Sequence, residues 1–360
     1  MPGRLSLGPA ALARLAQVAH DAGLLRLGIV RLDHAGFAPS RTALDRYLER
    51  GYHGEMEFLQ RSAEVRKHPE QMLEGARSLV VVAVPYRGEA GPVARYARPL
   101  DYHTVVHARL EQVEAALLEL VPGSQSLICV DSKPVFERAA AALAGLGFVG
   151  KHGCVIIPGL GSYFVLGGLL TTAGWDGEDA VGEETSALAA ARWDACGSCT
   201  RCLDACPTGA FVGPGELDPR RCISYLTIEH RGAIDDPLAD GLGDHLMGCD
   251  ICQEVCPYNA SPDRDARVPA AAWIAPPPGP VRSTDPWRLV DIGSATYRAW
   301  AKHTAVRRVA RRSMRRNALL VLGNRKGVLS DEQRARVAAL LDDPDAQVAA
   351  AAHRLLGRRG

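Results

Sequence analysis

The sequence predicts three successive units. They are an α/β (α+β) N-terminal domain, a ferredoxin-like domain for two [4Fe–4S] clusters, and a C-terminal run of α-helical, HEAT-like repeats. Three observations carry this expectation. Strand-like apolar runs alternate with helix-periodic segments up to about residue 173. Eight of the ten cysteines fall between Cys196 and Cys256. From about residue 287 onward, leucine, valine and alanine recur at helical spacing. We set the divisions at 1–185, 186–275 and 276–360.

In the first unit, helical periodicity marks 9–22, 40–50, 104–120 and 135–145. Strand-like runs are LRLGIVRL, SLVVVAVPY, SLICVD, GCVIIP and SYFVLGGLLTT. The segment from Ile128 to Arg138 ends a strand, turns and opens a helix. Asp131 therefore stands either where α/β folds place a reactive carboxylate or at a helix N-cap, and the sequence leaves both open. Cys129 and Cys154 lie in apolar runs and read as buried small hydrophobes.

Two look-alike motifs fail on context. Gly145-Leu-Gly147-Phe-Val-Gly150-Lys151-His152 resembles a phosphate loop. Such loops must follow a strand and open a helix, whereas this one closes a helix and leads into a strand. Asp101-Tyr-His103-Thr-Val-Val106 approaches a cobalt-ligating D-x-H-x-x-G but lacks the glycine, so His103 reads as helix-start packing or a substrate contact.

An acidic stretch, WDGEDAVGEET, leads to the cysteines. Cys196, Cys199, Cys202 and Cys206-Pro207 have the C-x2-C-x2-C-x3-C-P spacing, in which the fourth cysteine serves the other cluster. Cys222 stands apart, and Cys249, Cys252 and Cys256-Pro257 complete the set. The first loop supplies three thiolates and lacks one, which Cys256 provides. Cys249 and Cys252 lack two, which Cys206 and Cys222 provide. A zinc ribbon needs only four such ligands, so eight point to two iron–sulfur cubes.

Formal net charge is +1, but it is unevenly spread: residues 301–360 hold 14 Lys/Arg against 5 Asp/Glu, a local +9. That asymmetry suggests an anionic partner for this end. The arginines Arg307, Arg308, Arg311, Arg312, Arg315 and Arg316 recur as pairs every four residues, which on one helix makes a guanidinium stripe able to track phosphates. A proline-rich connector, APPPGPVRSTDP, precedes this unit. Dense free thiols, no apolar run of membrane-spanning length and no export leader lead us to expect a cytoplasmic protein.

Several stretches together resemble the epoxyqueuosine reductase family. They are GYHGEM at 51–56, Val130-Asp131-Ser132 with Glu137-Arg138, and Gly147 to His152. Further along come Gly161 to Phe164, CGSCTRCLDACPTGA, RCISYLTIE from Arg221 to Glu229, Gly248 to Cys252, and RRNALLVLGN. The resemblance spans nearly the whole chain. It implies reduction of the epoxide of epoxyqueuosine at a tRNA wobble position to queuosine, the last step of queuosine synthesis. It also implies a base-off cobalamin in the N-terminal domain, an external electron donor, and a tRNA anticodon stem-loop as partner.

Carried over by position, Asp131 matches the proton donor. Arg66, Asp131, His152, Val155 and Leu166 match positions lining the corrinoid, and Ser224 and Asp250 match positions where the cluster domain meets it. Ala94 departs from relatives with a cysteine there. An acid role requires the Asp131 pKa to rise from about 3.9 toward neutrality. The rival expectations are another corrinoid/iron–sulfur reductase, such as a reductive dehalogenase, or a non-catalytic electron carrier.

Overall fold

The computed structural model describes residues 5–177, 194–261, 263–278 and 284–358. The boundary expected at 185/186, most of the acidic stretch and the middle of the proline connector lie outside the described residues. In chain order the strands up to residue 177 are β1 (Ser6–Leu7), β2 (Arg26–Arg31), β3 (Ser78–Pro85), β4 (Ser126–Cys129), β5 (Phe148–Val149), β6 (Val155–Ile156), β7 (Phe164–Thr171) and β8 (Gly174–Trp175). The helices are α1 (Pro9–Asp21), α2 (Ala38–Glu49), α3 (Glu57–Arg61), α4 (Ala63–Lys67), α5 (Tyr102–Leu120) and α6 (Glu137–Leu143).

The main sheet has the order β2-β3-β7-β4, and each neighbouring pair is antiparallel. The domain is therefore α+β. Central β3 is buried at every position because helices cover both faces. Val80, Val82 and Val84 pack with α1 and α5, while Leu79, Val81 and Ala83 pack on the α6 side. This is the period-2 alternation of a strand, hidden in the sequence because both faces are apolar. Val106, Leu110, Val113 and Leu117 form the buried stripe of α5. A Cβ at Gly167 would sit 2.6 Å from Val106, so glycine lets α5 lie close on the sheet.

Chain direction places the site. The helix α5 runs away from its start at Tyr102 and the chain returns along β4, so residues just after Cys129 meet the N-terminus of α5. The Gly145–His152 segment enters β5 and then β6 with no helix opening, so it is no phosphate loop.

The cysteine region contains the short helices Arg201–Asp204, Ile223–Ile228 and Ile251–Glu254. The tail contains the helices Ser294–Ala301, Arg311–Asn324, Asp331–Ala338 and Ala346–Arg358. These two regions share one apolar core in which Ile223, Leu226, Leu319, Leu322, Val348 and Leu355 pack together. Helix Arg311–Asn324 runs through its middle, buried from Ser313 to Gly323. Among the described residues, no helix is long and apolar enough to cross a membrane.

Candidate active site and cluster loops

The first site forms where α5 begins. Asp101 caps the helix, its side chain accepting from the His103 backbone N–H at 3.1 Å. The same Oδ1 lies 2.7 Å from His103 Nδ1, and Arg307 Nε lies 3.0 Å from Asp101 Oδ2. On its other side, His103 Nε2 is 3.2 Å from Asp131 Oδ2, and Tyr102 Oη donates to that oxygen at 2.6 Å. The Tyr102 and His103 rings stack with centroids 4.1 Å apart.

Asp131 has φ +51°, a left-handed conformation costly for a residue with a side chain, and the Ser132 amide folds back to the Val130 carbonyl. Helix α6 starts six residues later, with Phe136 at its cap position, so the N-cap alternative for Asp131 does not hold. The Asp131 side chain keeps 61% of its surface exposed.

Proton affinities here differ from the sequence expectation. The His103 hydrogen bond is the main reason the Asp131 carboxyl is held below the usual range, outweighing burial, with Tyr102 adding to it. An upward shift was expected; a histidine donor at 3.2 Å reverses the sign. His103 is raised to about 9, first by Asp101 and then by Asp131. The carboxyl that burial does push up, to about 7, is Glu137, helped by the Asp131 charge and opposed by Arg66 and Arg138. Glu137 lies in the stretch from Val130 to Arg138, but nothing in its spacing marks it as a carboxyl raised toward neutrality.

The other corrinoid positions spread over neighbouring walls. Arg66 donates to the Val135 carbonyl at 2.6 Å, while its buried Nε has no hydrogen-bond partner. Val155 is on β6, and Leu166 lies on β7 opposite Ala83. Asp250 is buried and accepts from the Arg95 backbone N–H at 2.8 Å; burial pushes its carboxyl up. Ser224 is half-buried on helix Ile223–Ile228. The charges of Asp131 and Asp250 both act on Tyr96, whose hydroxyl is raised chiefly by burial.

Cys196, Cys199, Cys202 and Cys256 line one cavity with Lys151, His152, Arg201, Pro257 and Tyr258. Lys151 Nζ ties the first loop down, donating to the carbonyls of Gly197 at 2.6 Å and Cys199 at 3.0 Å. Cys206 acts electrostatically on Cys222, both act on Cys249, and Cys252 feels Cys154, Cys249, Cys222 and Cys202. Burial pushes Cys202 up to about 11 and Cys249 to about 12, so thiolates here need a compensating cation. Among the described residues, no three His, Cys, Asp or Glu side chains gather as a single metal ion requires.

His152 lies on the wall of the first thiol cavity. Its Nδ1 accepts from the Cys154 N–H at 3.1 Å, which puts the proton of the neutral ring on Nε2. That Nε2 is buried and has no partner, and burial lowers the ring to about 4. Cys129 is fully buried as expected. Cys154 is not: it is half-buried and feels Cys256, Asp250 and Cys222.

The arginine stripe needs correction. Residues Ala305–Arg308 form a separate 3-10 turn, and the helix begins only at Arg311. Arg316 is wholly buried, donating to the carbonyls of His230, Gly232 and Leu226; Arg315 is 7% exposed, bonded to Val290 O and paired with Asp343. Neither can reach a phosphate, because the helix packs on both sides and its guanidiniums satisfy interior carbonyls. Arg311 is half-buried and donates to Ile292 O. Arg307, Arg308 and Arg312 are exposed; Arg308 pairs with Glu229 and lies over the Phe58 ring, near Asp131.

An acid–histidine site in one chain with a cysteine-rich region, four of whose thiols line one cavity, points to a class: the iron–sulfur oxidoreductases. Residues 195–259 match the 4Fe-4S double cluster binding domain, and residues 66–132 match the model described as "Epoxyqueuosine reductase QueG, DUF1730". The chain is 35% identical over 326 residues to the epoxyqueuosine reductase of Gloeobacter violaceus, covering 86% of this chain and 95% of that one. It belongs to the epoxyqueuosine reductase family.

Two solved structures agree. One is an epoxyqueuosine reductase with an epoxyqueuosine-modified tRNA-Tyr stem loop (28% identity, TM-score 0.77). The other is the Bacillus subtilis enzyme with its catalytic aspartate loop swung out of the active site (26% identity, TM-score 0.78). Each alignment covers 97% of this chain and 90% of the other.

Proposed function

We propose that this chain reduces epoxyqueuosine in the anticodon stem-loop of tRNA to queuosine in the cytoplasm, with electrons from an external donor. The observation that carries the reading is the Asp131 carboxylate, left-handed in backbone, exposed, and held by Tyr102 and His103, in a chain that also matches a double-cluster domain. The reaction removes one oxygen as water and takes up two electrons and two protons.

Cys196, Cys199, Cys202 and Cys256 would hold one cluster, and Cys206, Cys222, Cys249 and Cys252 the other. The cavity shared by the first four supports this partition, as does the action of Cys206 and Cys222 on Cys249. A base-off cobalamin fits a site with an exposed Asp131 side chain and an orphan Arg66 Nε that can serve its polar periphery. Arg66, Asp131, His152, Val155, Leu166, Ser224 and Asp250 would hold it, with His152 also on the neighbouring cluster wall. When bound, the corrinoid supplies low-potential electrons to the epoxide, and the clusters refill it singly.

The side chains do the rest. Tyr102 and His103 fix the Asp131 carboxyl, which at rest is an anion. Asp131 protonates the oxygen as its bond to carbon opens, passing on a proton received from His103, since an alkoxide leaves poorly. The HEAT-like tail presents Arg307, Arg308 and Arg312 to the tRNA backbone. The test is anaerobic incubation of reconstituted protein, with and without cobalamin, on tRNA bearing the epoxide, read by nucleoside mass. Queuosine formed only with cobalamin supports the reading; unchanged substrate under both conditions removes it.

A further inference from the structure

We propose that His103 is the proton store of this site: buttressed by Asp101, it reloads Asp131 for each proton that the departing oxygen receives. This rests on the epoxide-reductase reading above. Asp101 is 5% exposed and fixed by its capping role, with Arg307 Nε 3.0 Å from its second oxygen. It engages His103 Nδ1 at 2.7 Å, which leaves Nε2, 3.2 Å from Asp131, as the ring nitrogen that exchanges protons. The stacked Tyr102 ring keeps the imidazole from turning, and its hydroxyl holds the same Asp131 oxygen. Orienter, histidine and reacting carboxyl thus stand in line, as in any acid–base chain whose middle member moves the proton.

The charge balance calls for such a store. Converting the epoxide to an alkene breaks two C–O bonds at one oxygen, which leaves as water carrying two protons. One carboxyl carries one proton. In each delivery His103 Nε2 gives its proton to the Asp131 carboxylate, and the neutral acid gives it to the oxygen. Asp131 is again an anion and His103 a neutral ring bonded to Asp101. Solvent reloads Nε2, since the His103 side chain is 35% exposed. Two such cycles supply both protons, and the two electrons come through the cofactors already named. The other charges facing the pair are Arg307 through Asp101, Arg308 and Arg66 on the Asp131 side, and Glu137 behind Asp131.

Two measurements decide it. In histidine-labelled protein, NMR titration should show His103 protonated at neutral pH with a midpoint near 9, falling toward the ordinary histidine value in Asp101→Asn. In single turnover, His103→Gln, which keeps a hydrogen bond but stores no proton, should slow conversion at least tenfold. It should also lose the alkaline limb of the pH profile, with iron and cobalamin content unchanged. A neutral His103 at pH 7.5, or a His103→Gln enzyme with wild-type rate and profile, overturns the proposal. Wild-type protein inactive on the tRNA would instead sink the function itself, and the NMR titration would still decide the state of His103.

Discussion

Arg316 donates to the Leu226 carbonyl at 2.6 Å from a position with no solvent exposure. Its other bonds, to the carbonyls of His230 and Gly232, tie the helix Arg311–Asn324 to the cysteine region. Each hydrogen bond to a charged group is worth about 1.5–3 kcal/mol, and truncation strands the buried carbonyls. Arg316→Ala should therefore cost roughly 3 kcal/mol or more, read as a fall in melting temperature. Arg312, 51% exposed and only loosely paired with Asp345, should behave oppositely. Arg312→Ala should leave the melt unchanged and reduce the salt slope of tRNA binding by about 1. An unaltered slope would take Arg312 out of the interface.

Asp131→Asn keeps the shape of the side chain and a hydrogen bond to Tyr102 but cannot carry an acidic proton. Iron and cobalamin content should match wild type, while turnover on epoxide-bearing tRNA should fall roughly two to four orders of magnitude. His103 should lose part of its raised proton affinity, since Asp131 is one of its two causes. Full turnover in this variant would remove Asp131 from proton delivery.

Local patterns were legible wherever one chemistry fixed them. The α1 and α5 stripes, the apolar β3 and β7 runs and the cysteine spacing all read directly, because period and spacing are local properties. Antiparallel pairing did not, since β3 is apolar on both faces and shows no alternation to orient it. The arginine pairs misled for a related reason. Guanidiniums on a tail helix look solvated until its neighbours are known, and Arg315 and Arg316 instead face carbonyls distant in sequence. The Asp101–His103–Asp131 line was half visible as a failed cobalt motif. Its meaning depends on β4 returning to the start of α5, which no short window contains.

His152 gives a prediction about the first cluster. With Nδ1 accepting from Cys154, its Nε2–H points from a buried position in the wall that holds Cys196, Cys199, Cys202 and Cys256. A buried donor without a partner is costly, and cluster or thiolate sulfur is the acceptor this wall provides. Hydrogen bonds to the sulfurs raise cluster potentials. His152→Phe should thus shift one of the two cluster potentials to a more negative value in an EPR-monitored titration, leaving the other in place. Two unshifted potentials would mean that Nε2 finds its partner elsewhere.

Glu137 makes stability depend on pH in a direction opposite to most carboxylates. Burial raises it from 4.5 to about 7 in the folded chain. Below pH 4.5 both folded and unfolded forms are protonated and the residue contributes no difference. Between 4.5 and about 7 the unfolded chain releases a proton that the fold retains, so stability declines as pH rises; above about 7 the loss is complete. The shift converts to a ceiling of roughly 3 kcal/mol. Glu137→Gln should remove this loss. In the cobalamin-free protein, the melting temperatures of variant and wild type should be close at pH 5 and separate in favour of the variant at pH 8. A constant difference across that range would mean that Arg66 and Arg138 already neutralise the Glu137 carboxylate.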